Sequence, residues 1–514
     1  MLRTTLFLSL LLLSVAFVHA QHHDSGAAKS NASVDLGSID FPNSGPAEAQ
    51  KSFIEGVLLL HSFEYDRARR AFSEASRLAP NFALAYWGEA MTYDHPIWPE
   101  NDKSGGLAAL AKLGATPDER RKKAPTEREK IYLDAVERLF GEGDSAARAA
   151  AYSQAMADLT RKYPDDLEAR AFYALSILGL TRTTRNTENY MRAAAVAETV
   201  YEKNPKHPGA LHYLIHAYDD PVHAPLGLRA ASVYGSVAKG ASHAQHMPSH
   251  IFFALGMWEE SIDANTASMK TARDAGQGGY HPLHWLEHSY LQLGRFDDAS
   301  KTLAIIENDA KGNSSSYNRT HLAMCRATML VETRGSGPAS IMEQVDASGI
   351  STQGYFVGHD LAIGLEYVRR NEIAAARRSL DSIRTRAASM KNVRSSEPAT
   401  ENRYAGVTQT EIDTVNVMES MLAAAIEFAS GDKEKGLRMM VAAAENEDKL
   451  IFEYGPPAIV KPAWEAAGEM LLAAGRRTEA ANAFRNVLKR YPNRRLSKEG
   501  LKAATVSSQT AAGR

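Results

Sequence analysis

The histidines of this 514-residue chain are spaced as a bound metal ion or an anionic ligand requires. Counting back from Gly256, His250, His246 and His243 lie six, ten and thirteen residues away. Counting back from Gly294, His288, His284 and His281 lie at the same three intervals. One repeat earlier, His212 and His216 precede His246 and His250 by 34 residues. Residues four apart share one face of an α-helix, so His212 with His216, His246 with His250, and His284 with His288 are same-face pairs. Helices pack about 8–10 Å apart, close enough for imidazoles from neighbours to converge on one ion. Zinc or copper, held through nitrogen at about 2.0–2.1 Å, suits such a donor set. The expected metal ligands are therefore His212, His216, His243, His246, His250, His281, His284 and His288. Asp219 and Asp220 follow His216 by one turn, and Glu287 adjoins His288. Each carboxylate is a candidate ligand, a group orienting an imidazole, or the base of a metal-dependent enzyme. His61, His95 and His223 fall near ends of the same helical pattern.

Other roles use the same residue types. A metal-free groove could hydrogen-bond a protein, a peptide or a small anionic ligand through these rings, or they could pack beside Tyr213, Tyr218, Trp285 and Tyr290. The phase-locked intervals favour a shared surface. Cys325 is the only cysteine, which excludes a closed zinc site of the thiolate type. Its setting, HLAMCRATMLV, reads as a buried small hydrophobe. The zinc-protease order His-Glu-x-x-His is absent, because Glu287 stands next to the second histidine of its pair. Nucleophile elbows, phosphate loops and dinucleotide fingerprints do not occur in a strand–turn–helix setting. Trp98, between Pro96 and Pro99, is presented from a loop as a lid or a flank-packing side chain. If the chain is cut after Ala20, Gln21-His22-His23 adds a second nitrogen set.

The elements that must place the ladder are helical hairpins. In AQKSFIEGVLLLHSFEYDRARRAFSEASRLAP, small residues at Gly56, Ala68 and Ala75 let two helices approach, Phe72 fills the gap and Pro80 stops the second helix. The pattern returns in ALGMWEESIDAN, in QLGRFDDASKTL and in AAGRRTEAANAFRNVLKRYPN. These stretches resemble the tetratricopeptide repeat (TPR) family. ALAYWGEAMTYDHPIW, HPGALHYLIHAYDDPVHAPLGL and SHAQHMPSHIFFALGMW look like large exported bacterial TPR proteins. The resemblance implies an all-α, right-handed α-solenoid of TPR-like helix-turn-helix hairpins, with the first helix of each pair lining a concave groove that binds protein or peptide. The expected layout is a solenoid over 49–390 with the histidine-lined groove, a linker or long loop over 391–409, C-terminal hairpins over 410–503 and a disordered tail over 504–514.

Residues 1–20 read as a secretory signal peptide: Arg3 precedes the apolar run Leu6–Phe17, and Val18-His19-Ala20 ends in small residues. A periplasmic or secreted location follows. Residues 21–48, rich in Ser, Gly, Ala and Asn, read as a flexible tail. Asn31, Asn313 and Asn318 head glycosylation sequons, which matter only in a eukaryotic secreted protein. The net charge of −2 becomes −3 without Arg3, which argues against a nucleic-acid partner. No later apolar run is long enough to span a membrane.

Overall fold

Phe72 shows how the hairpins lock. Its ring is fully buried between Gly56 and Gly88, and a Cβ at either glycine would collide with it. One aromatic thus fastens three successive helices, Ala47–His61, Tyr65–Leu78 and Ala83–Met91. Phe484 repeats the device between Gly468 and Gly500, joining helices Ala463–Ala473, Arg477–Arg490 and Arg495–Thr505. Close approach at glycine buries aromatic area that a longer side chain would hold apart.

The computed structural model describes residues 35–98, 100–181, 185–276, 281–312, 314–350, 352–396, 406–452 and 454–506. Its architecture is an all-α solenoid in which helices pack mainly on their neighbours along the chain. The sheet content among the described residues is a two-residue antiparallel pairing of Asp94–His95 with Glu100–Asn101. The hairpins turn at one recurrent left-handed residue: Gly256, Gly294, Gly431 and Gly475, with Asn371 in the same place between helices Gly354–Arg369 and Ile373–Ser396. In the first hairpin that place is taken by Phe63, at φ 56°.

The segment expected as a flexible tail over 21–48 is ordered where it is described. Residues 35–46 form a strap across the outer ends of several hairpins. Ser38 N–H donates to Lys206 O at 3.1 Å and Gly240 N–H to Asp35 O at 2.9 Å. Phe41 is buried among Phe53, Trp87 and Tyr132. Two lone apolar anchors, Leu36 and Phe41, hold it, and isolated anchors leave no periodicity to read. Residues 94–125, irregular in sequence, hold helices Lys103–Ala111 and Pro117–Lys123. Residues 1–20, expected as a signal peptide, His22, His23, Asn31, Asn313, residues 397–405 within the expected linker, and residues 507–514 lie outside the described residues. Asn318 is buried at 2% exposure, so its sequon offers no room for a glycan. Among the described residues no helix is long and apolar enough to cross a membrane.

The solenoid closes on itself. The stretch after helix Arg477–Arg490 returns to the middle of the chain. Trp258 Nε1–H donates to Asn493 O at 3.3 Å, and Asn493 Nδ2–H to Gly256 O at 3.2 Å. Arg494 is buried between Glu465 at 2.7 Å and Glu332 at 2.9 Å. Arg495 donates to Leu291 O and pairs with Glu332 at 3.1 Å.

Candidate metal centre

Three consecutive first helices carry the histidines. Helix Pro208–Tyr218 starts with proline at its first position, and the His207 ring accepts Ala210 N–H at 3.2 Å as its cap. His212 and His216 are one turn apart on it. The next helix is broken into Ser242–His246 and Pro248–Ala254. Pro248 cannot donate, and His250 N–H reaches Met247 O at 3.1 Å in a tighter turn. The break leaves His246 and His250 on one face. Helix His281–Gln292 carries His281, His284 and His288.

The rings assemble across helices. His246 and His250 come from one helix and His281 from the next, and their ligand nitrogens all lie within 4.8 Å of one another. His212, His216 and His243 form the same construction one hairpin earlier. Each triad is a same-face pair completed by the first histidine of the following hairpin.

Hydrogen bonds fix the tautomers of one pair. His246 Nδ1 lies 2.7 Å from Asn265 Oδ1, and Asn265 Nδ2 donates to Ser261 O at 2.7 Å. That second bond leaves the amide oxygen facing His246, so Nδ1–H is the donor. His250 Nδ1–H donates to Asp219 Oδ2 at 2.6 Å. With Nδ1 spent in this way on each ring, the two Nε2 atoms are the ones left to meet a ligand, and they face each other at 3.1 Å, close enough to share a proton or to flank a metal ion. In the other pair, His212 Nδ1–H donates to His61 O at 2.7 Å, and its bare Nε2 lies 3.1 Å from His216 Nε2. Burial pushes His212 and His246 well below the usual histidine range, with His216 and His281 next in effect. Burial also lowers His281 well below it.

A third group, His61, Glu168 and His207, is equally compact and fully buried. Its valences are already spent. His61 Nε2–H and His207 Nε2–H donate to the two Glu168 oxygens at 2.8 and 3.0 Å. Tyr213 O–H donates to His61 Nδ1 at 2.8 Å, and the backbone occupies His207 Nδ1. Burial alone would raise the Glu168 carboxyl, but His207 and His61 outweigh it and hold it at about 2. This cluster is a brace. It fixes His61, whose carbonyl in turn orients His212.

The remaining expected residues separate. His284 points toward His321, with ring centres 5.7 Å apart, and His288 lies against Phe253 at 4.8 Å. Neither joins the two compact triads. Asp219 orients His250. Asp220 pairs with Arg185 and His223, both at 2.8 Å, and caps its own turn. The Glu287 oxygens meet no N–H or O–H donor among the described residues. Burial raises the carboxyl well above the usual range, with the Cys325 thiol as polar neighbour. Cys325 is fully buried. His95 stacks on Tyr65 at 3.9 Å, away from the triads.

Glu168, His207, Asn265 and His321 were not singled out in the sequence. His321 had a signal: it lies thirteen residues before Arg334, the left-handed turn residue of its hairpin, as His243 and His281 do before Gly256 and Gly294. Asn265 had none.

The ladder is shared, but it does not line an open groove. His212, His216, His246 and His250 are 0–5% exposed, and only His243 and His281 keep partial exposure. Phe63 packs on His212 at 4.3 Å and Trp98 on His243 at 6.0 Å. Tyr454 covers His250 at 5.6 Å, and a Cβ on Gly455 would stand 2.7 Å from Trp285. Phe63, Trp98 and Tyr454, far apart in the chain, thus pack over the triads.

No family model matches the chain, and no curated protein matches it. Solved structures similar to it are helical-repeat proteins. Yeast Tom70 aligns over 89% of this chain and 95% of its own, at 11% identity and TM-score 0.37. A human IFIT1 dimer aligns over 87% and 94%, at 12% identity and TM-score 0.37. The TPR domain of P58(IPK) aligns over 89% and 97%, at 12% identity and TM-score 0.22. Overlaps this low leave the fold to stand on the chain's own hairpins and the histidine centre on its own geometry.

Proposed function

We propose that this chain is an exported helical-repeat protein that binds a transition-metal ion, zinc or copper in kind, through His246, His250 and His281. One observation carries the reading: the ligand nitrogens of His246, His250 and His281 lie within 4.8 Å of one another, with the Nδ1 atoms of the same-face pair already engaged by Asn265 and Asp219. The two Nε2 atoms of the pair, 3.1 Å apart, need a cation between them, either a shared proton or a metal ion. A tetrahedral ion with nitrogens at about 2.05 Å holds its ligand atoms about 3.3 Å apart. Asp219 supports the reading, because a carboxylate on the far nitrogen fixes a ligating imidazole and raises its basicity. A peptide or small anion is disfavoured, since His212, His216, His246 and His250 are 0–5% exposed and Phe63 and Tyr454 pack on them.

A second reading has one observation in its favour. Three donors, with His281 at the partly exposed side, leave a fourth position for water. A water bound there would support metal-dependent hydrolytic chemistry. Asp219 would not be its base, because it is engaged with His250. The leader-like residues 1–20 support export.

The test starts from protein unfolded and refolded in chelator. Calorimetric titration with Zn²⁺ should give tight binding of at least one equivalent. His246→Ala combined with His281→Ala should abolish the tightest phase while circular dichroism stays helical. Wild-type protein that takes up neither stoichiometric zinc nor copper would refute the proposal.

A further inference from the structure

We infer that His212, His216 and His243 hold a second ion beside the first, so that the two triads form one paired-metal centre; this rests on the reading of His246, His250 and His281 as a metal site. The two sets are built alike. Each has a same-face pair with Nε2 atoms 3.1 Å apart, and each is completed from the next hairpin. His212 spends its Nδ1–H on the His61 carbonyl, which the Glu168 brace holds still, so its Nε2 is fixed toward the ion position.

The sets also touch. His216 and His250 stand edge to face with ring centres 6.1 Å apart, and His243 and His246 are 6.2 Å apart. An ion lies about 3 Å from the centre of the ring that binds it, so the two ions stand at most about 12 Å apart. Asp219 follows the helix of the first pair and accepts from His250 of the second, tying the sets together. Its carboxylate also offsets part of the charge that two cations would bring among six imidazoles. Imidazole-only donors of this kind favour copper and zinc.

Cu²⁺ is the probe, added to chelator-refolded full-length protein and followed by continuous-wave and pulsed EPR. Two equivalents should bind. The first should give an isolated Cu²⁺ spectrum, and the second should add dipolar broadening. His243→Ala, a partly exposed position, should lose the second equivalent and the broadening while keeping the first. His216→Ala gives the same readout from inside the triad, with helicity checked beforehand. Binding of a single equivalent, or of two with unbroadened spectra, overturns the pair and leaves the first site intact. Binding of none overturns the reading beneath it. A His243→Ala protein that still shows two coupled ions also overturns the assignment.

Discussion

At the scale of the residue, the two questions that matter are which nitrogen of each ring is bare and what holds the ring there. Asp219 answers the second for His250. Asp219→Asn keeps the shape and removes the charge. Zinc affinity at the His246 triad should fall about 10–100-fold, with the fold retained, as competition with a chromophoric chelator will measure. An unchanged affinity would mean that His250 is not a ligand. Phe63 works at the same scale. It takes the left-handed turn position that Gly256, Gly294, Gly431 and Gly475 hold elsewhere. A non-glycine residue there costs about 1 kcal/mol. In return its ring packs on His212, His216 and His243. Strain of this sort collects at sites where the surrounding structure over-determines a side chain. The sequence displayed the histidines but not their sorting. His61 falls near a helix end in the same pattern, and hydrogen bonds to Glu168 and Tyr213 take it out of the donor set. Those partners lie 107 and 152 residues away, beyond any local spacing rule.

At the scale of the element, the recurrent turn is what keeps the ladder in phase, and its glycines are not equivalent. Gly256 and Gly475 share a left-handed backbone, at φ 67° and 77°. A Cβ on Gly475 meets open space, whereas one on Gly256 runs into the Pro492 carbonyl. Gly475→Ala should therefore cost about 1 kcal/mol, from backbone strain alone. Gly256→Ala should cost more, because backbone must also move. Urea unfolding of the two variants side by side checks this, and equal losses would rule out the close approach. The hairpins themselves were legible, since Gly56, Ala68, Phe72 and Ala75 pack as their spacing implies. What spacing could not supply was closure. The first helices do face one another, yet Phe63, Trp98 and Tyr454 arrive from distant segments to fill the space between. The ordered strap over 35–46 escaped for the same reason: Leu36 and Phe41 act singly, and a single anchor has no period.

At the scale of the whole molecule, the solenoid is held shut by charge as well as by packing. Arg494 sits between two buried carboxylates, Glu332 and Glu465, and burial alone would lower its pKa while the carboxylates raise it. Arg494→Leu leaves Glu332 with Arg495 alone, and Glu465 with Lys461 and Ser497, in a dry interior. Removing one partner of a buried network costs about 3–5 kcal/mol. Denaturant unfolding should register that loss, and small-angle scattering should show a larger radius of gyration. A variant as stable and as compact as the parent would mean that the ion pairs do not close the ring.

That closure gives the centre a history as well as a geometry. His281 leaves the ribosome more than two hundred residues ahead of Arg494. An ion can thus enter while the ring is unfinished. Once Tyr454 and the Arg494 latch are seated, exchange of a bound ion would run through the partly exposed side at His281. If an ion binds as proposed, its escape would slow as the latch tightens, so the rate at which a chelator strips it would rise in Arg494→Leu.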